Sequence, residues 1–154
     1  MSRIRVSTAL VLFVLVTPLM AKSHIPKMHT HAAIKTYVQQ AASFVAKKGA
    51  DCAALKEADW SSGDYYIFVM GPDDKTLCHP TLVNAPASSI VDANGKKVGD
   101  LLVEAAKKKG GGWVEYVWPR PNTTNPVPKS SYAVRVKGPD GKWYMVGSGG
   151  YELK

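Results

Sequence analysis

"GWVEYVWPRPNTTNPVPKSSYAVRV", residues 112–136, decides the fold. Two segments rich in aromatic and β-branched residues flank a proline-rich connection, the pattern of two antiparallel strands. Side chains alternate across a strand, so Trp113 and Val117 share one face while Val114, Tyr116 and Trp118 share the other. Both faces are largely apolar, and both therefore need a cover. The four prolines of "PRPNTTNPVP", residues 119–128, restrict φ and reduce the entropy lost on ordering. The connection is expected to form a stable rim, with Lys129 at its mouth beside Tyr116, Trp118 and Tyr132.

Downstream, "VKGPDGKWYMVGSGGYE" (136–152) carries a tight turn at Pro139–Asp140–Gly141 and then a further strand, in which Gly147 and Gly149 read as backbone requirements. Upstream, "VGDLLVEAAKKKGGG" (98–112) places Val98, Leu101, Leu102 and Ala105 on one helical face. Lysines fill its last turn, where the helix dipole favours cations. Earlier still, "DYYIFVMG" (64–71) is a continuous strand-like run, "PDDK" a turn, and "TLCHP" (76–80) renewed extended chain. "AAIKTYVQQAASFVAKKG" (32–49) spaces Ile34, Tyr37, Val38, Ala41, Ala42 and Val45 as a helical stripe, with Thr30 as N-cap and Gly49 as stop. Asp51 is placed to cap a second short helix reaching about Ala58. The order is helix, helix, two strands, a loop with a helix, then three strands. That predicts an α+β domain with a central antiparallel sheet of about five strands. The long N-terminal helix covers one face, and loops with the short helix roof a small pocket on the other.

The chain has 154 residues, enough for one domain. "MSRIRVSTALVLFVLVTPLMA" (1–21) combines a basic start, a short apolar run and a small-residue end. It reads as an export signal, too short to favour an anchor. Residues 22–29 read as a flexible leader and 30–154 as one domain. The expected location is periplasmic or secreted, with no membrane contact after cleavage. Removing residues 1–21 deletes Arg3 and Arg5 and no acids, so the formal charge falls from +8 to +6. The remaining lysines are scattered over turns and helix ends, which predicts a solvated surface and no nucleic-acid face. Cys52 and Cys78 belong to no metal or haem-attachment pattern. An oxidising compartment permits a bridge between them, and the spacing leaves paired and unpaired states equally open.

Several segments together resemble the Cache domain, the extracellular PAS-like sensor module, and more closely its single-module type. They are "DYYIFVMGPDDKTLCHP", "DANGKKVGDLLVEAAKKKGGGWVEYVWPRP", "VPKSSYAVRV" and "GSGGYE", in the family's order and spacing over residues 30–152. The resemblance implies a PAS-like sheet, a ligand pocket in front of it, and a small organic acid such as a short carboxylate as ligand. Lys129 would supply the cation. Tyr116, Trp118, Tyr132 and Tyr66 would supply walls with hydrogen-bonding tips, and His79 a donor. It also implies a role in signal transduction or chemotaxis. Because the chain ends at Lys154, a membrane-bound kinase, chemoreceptor or transporter is the expected partner. The segment "TLVNAPASSIV" (81–91) departs from the family in lacking the glycine usual after "HP".

A catalytic reading finds little support. Cys78 and His79 are neighbours on a strand and point to opposite faces, so they form no nucleophile–base pair. Hydrolase, metalloprotease and phosphate-loop motifs are missing. No cofactor is expected. The competing reading is a structural or interaction protein whose pocket is filled by its own side chains. One feature stands outside the resemblance. Cleavage after Ala21 would expose Lys22–Ser23–His24, whose amine, amides and imidazole can surround Cu(II) or Ni(II) in a plane.

Overall fold

The computed structural model describes residues 23–154; the expected export signal lies outside the described residues. Helix α1, His31–Lys48, starts where Thr30 Oγ1 accepts from Ala33 N at 3.2 Å and ends where Gly49 N donates to Val45 O. All six residues of its predicted apolar stripe are buried. The second helix expected from Asp51 shrinks to one 3-10 turn, Ala54–Lys56. Asp51 Oδ1 does accept from Ala54 N, but no apolar periodicity extends the turn.

Strands β1 (Phe68–Met70), β2 (Thr76–Cys78), β3 (Gly112–Pro119), β4 (Pro126–Lys137) and β5 (Trp143–Tyr151) form one antiparallel sheet in the order β2-β1-β5-β4-β3. The run expected as one strand over 64–71 yields only β1. Ser62 and Tyr65 exchange both backbone hydrogen bonds in a local turn, and the carbonyl of Tyr66 is taken by the Ser148 hydroxyl at 2.7 Å. Those groups are therefore lost to the ladder.

Pairing of β3 with β4 runs from Gly112–Ala133 to Pro119–Pro126. Pro126 and Pro128 thus lie inside β4, and only Pro121 stands in the six-residue connection, which is shorter than the rim expected from sequence. The alternation expected for β3 holds. Trp113 packs on the cluster under α1, whereas Val114, Tyr116 and Trp118 join the opposite cluster under helix α2, Val98–Lys107. In α2 the buried face is Val98, Leu102, Val103, Ala105 and Ala106; Leu101, expected on it, is 40% exposed.

Cys52 and Cys78 are joined by a disulfide that ties the segment after α1 to the end of β2. Residues 23–29, read as a leader, lie along the body. His24 N donates to Asp59 O at 2.9 Å, its ring stacks on Trp60, and Tyr65 Oη meets His29 Nδ1 at 2.9 Å. Among the described residues no helix is long and apolar enough to cross a membrane.

Candidate ligand-binding site

On the α2 side of the sheet, Tyr66, Phe68, Met70, Thr76, His79, Leu82, Ile90, Val98, Leu102, Tyr116 and Trp118 enclose a cavity of about 20 Å³. Space of that order holds one water, so an organic occupant must be very small or must displace the walls. The roof is the segment between β2 and α2 together with α2. Asp92 fastens this roof to the sheet. Its carboxylate accepts from Asn94 N and Lys96 N at 2.9 Å and from Val117 N of β3 at 3.1 Å. Burial opposes the charge, yet those three N–H donors hold the carboxyl below its usual range.

Strand register places Lys129 of β4 directly between Tyr116 of β3 and Tyr151 of β5. Three residues share one face at that level only because their separations across the ladder match. Lys129 is not at a mouth, as the proline connection suggested; it is 3% exposed and lies behind the cavity wall. The next level of β5 is Gly149. A Cβ there would meet Lys129 Cε at 2.9 Å and crowd Ser131 Oγ still more closely. The missing side chain opens a slot in which the lysine lies flat. Its Nζ donates to Tyr66 Oη at 2.7 Å and sits 4.3 Å from the Tyr66 ring centre and 5.0 Å from that of Tyr151. Gly149→Ala is expected to destabilise the fold by about 1–3 kcal/mol, read by denaturant unfolding. An unchanged midpoint would refute the slot.

No carboxylate pairs with Lys129 among the described residues. Desolvation pulls its ammonium down from 10.5 to about 7, offset in part by Asp64. Asp64 itself pairs with Arg120, which also reaches Glu152 at 3.3 Å and lies over Tyr151. Because the ammonium donates to the Tyr66 oxygen, the Tyr66 proton is free to donate elsewhere. His79 is similarly poised. Its Nδ1 accepts from Thr81 N at 3.0 Å and Leu82 N at 3.1 Å, so the ring proton sits on Nε2. Burial, and then the Lys129 charge, push the imidazole down to about 4, which keeps it neutral. Tyr116 shares a 2.8 Å hydrogen bond with Ser131, whereas the Tyr151 hydroxyl is committed to Pro119 O at 2.6 Å.

Four of the residues singled out in the sequence, Tyr66, His79, Tyr116 and Trp118, thus line one cavity, with Lys129 behind it. Tyr132 does not join them. It is three residues from Lys129, an odd separation that turns it to the α1 face, where its hydroxyl donates to Gly110 O. Sequence reasoning missed Thr76, Ser131, Tyr151, Arg120 and Asp64. Parity along β4 pointed to Ser131; nothing local marks the others. For His24, planar metal binding would require its amide to leave Asp59 O, and its partner Lys22 lies outside the described residues.

The profile of the family described as Single Cache domain 2 matches residues 3–152, a longer span than the resemblance read from the motifs. The chain is 32% identical over 134 residues to the methyl-accepting chemotaxis protein McpP of Pseudomonas putida, covering 80% of this chain but 24% of that receptor. It therefore spans about a quarter of the receptor's length. Among solved structures, the periplasmic sensor domain of a chemotaxis protein matches with 34% identity and a TM-score of 0.53, over 65% of this chain and 69% of that one. A Cache chemosensory domain, described as showing the structural basis for carboxylic acid recognition, matches with 29% identity and a TM-score of 0.56, over 79% and 85%.

Proposed function

The chain belongs to the Single Cache domain 2 family and is homologous to the sensor domains of chemoreceptors, and from that premise we propose that it binds a small carboxylate in the cavity under α2. The observation that carries this reading is the buried ammonium of Lys129, which forms no ion pair among the described residues and polarises a tyrosine in the cavity wall. An uncompensated buried cation is costly, and an anion arriving at the Tyr66 hydroxyl and His79 Nε2–H would relieve that cost. The carboxylate accepts from those two donors, Tyr116 and Trp118 form the walls, and the Lys129 charge lies beneath. In this reading the site binds and releases its ligand without turnover, as a sensor module does. The similar Cache chemosensory domain, described for its carboxylic acid recognition, supports the ligand class.

The export signal expected from residues 1–21, the disulfide and the likeness to a periplasmic sensor domain support a location outside the cytoplasm. There the loaded domain would act on a chemoreceptor, kinase or transporter. The small size of the cavity favours a second reading, a pocket filled by its own side chains. Titration of the protein with acetate and propionate, against acetamide and propionamide, separates the two. At a hundred times Kd an acid should stabilise the protein by about 2.7 kcal/mol, and the neutral amides should not. Thermal curves unmoved by any acid would leave the filled pocket standing.

A further inference from the structure

Thr76 stands apart among the cavity-lining residues. It is 1% exposed, and its Oγ1 has no hydrogen-bond partner among the described residues. Beside Tyr66, His79, Tyr116 and Trp118, the other residues lining that cavity are apolar: Phe68, Met70, Leu82, Ile90, Val98 and Leu102. Its backbone groups are already satisfied, N–H by Ala85 O at 2.9 Å and C=O by Asn84 N at 2.8 Å, so the hydroxyl is not needed to hold β2. Valine has the same shape and a higher strand preference, and would leave nothing unpaired. A buried hydroxyl without a partner is therefore a local cost that the fold does not require.

We propose that Thr76 is a specificity-determining residue that selects a short acid carrying an oxygen on its carbon chain, a hydroxy or oxo acid, over the plain alkanoate of equal length. This rests on the carboxylate reading above. Tyr66 and His79 take the carboxylate, and the second oxygen meets Thr76. A hydroxyl both donates and accepts, so it serves a ligand carbonyl and a ligand hydroxyl equally. A site built to pair a ligand oxygen rejects the analogue lacking it, because the buried group is then left alone.

Calorimetric titration with propionate, lactate, 3-hydroxypropionate and pyruvate tests this on wild-type protein, Thr76→Val and Thr76→Ser. In the wild type at least one oxygenated acid should bind about tenfold more tightly than propionate, about 1.4 kcal/mol. Thr76→Val should bring that ratio close to one with propionate affinity kept, and Thr76→Ser should preserve the preference. The ligand-free Thr76→Val protein should melt no lower than wild type, since no protein contact is lost. Equal wild-type affinities, a preference that survives in Thr76→Val, or a lower melting point in that variant would each overturn the role of Thr76. Failure of all four acids to bind would overturn the carboxylate reading as well.

Discussion

Lys129→Met is expected to weaken the binding of a short carboxylate by about 10- to 150-fold, the equivalent of 1.5–3 kcal/mol for a hydrogen-bond system carrying a charge. The same variant should stabilise the ligand-free protein by about 1–4 kcal/mol, because methionine fills the slot beside Gly149 without a desolvated charge. Opposite signs for affinity and stability mark a residue retained for its ligand. A purely structural lysine would lower stability on removal and leave any affinity unchanged, and that outcome would sink the assignment.

The titration of Lys129 adds a pH signature. Its folded value is about 7 against an ordinary 10.5. Below pH 7 both folded and unfolded chains hold the proton, and the folded state carries the full desolvation penalty. Between about 7 and 10.5 the unfolded chain holds the extra proton, so ligand-free stability from this group rises with pH across that window. Ligand binding runs the other way. An anion draws the proton back, so affinity should be level from about pH 5 to 7 and fall by up to tenfold per unit above that. Other groups facing the ammonium alter this little. Tyr66, Tyr116 and Tyr151 are pushed up by burial and stay protonated, and His79 at about 4 stays neutral. Asp64 is matched by Arg120. Calorimetry in buffers of different ionisation enthalpy should find close to one proton taken up per ligand near pH 8.5 and close to none near pH 6. Equal uptake at both would count against Lys129 as the group involved.

The second large effect concerns the disulfide. Replacing Cys52 and Cys78 together by alanine should lower stability by about 3–4 kcal/mol, the loop-closure entropy restored to the unfolded chain for a separation of 26 residues. Against a total of about 5–15 kcal/mol for a domain of this kind, that is a large fraction. The bridge also holds the end of β2 next to His79, so ligand affinity should fall with stability. Denaturant midpoints with and without reductant provide the measurement. A shift below about 1 kcal/mol would mean the bridge contributes little.

Much of the architecture was legible along the chain because it rests on short-range periodicity. The α1 stripe, the Thr30 cap, the alternation of β3 and the turn at 139–141 each depend on residues within a few positions of one another. The facing of Tyr132 is legible in the same way, since an odd separation from Lys129 sends the two side chains to opposite faces. The length of β1 was not legible, because it depends on Ser148, distant in sequence, capturing the Tyr66 carbonyl. The position of Lys129 was likewise settled only in three dimensions. The local proline pattern suggested a mouth, whereas the register of β4 on β5 sets Gly149 beside the lysine and turns its ammonium inward to Tyr66. Amino-acid order by itself determined which elements form and which faces are apolar. Long-range strand pairing decided which polar groups are buried together, because desolvation and hydrogen bonding act between residues that only the folded sheet brings into contact.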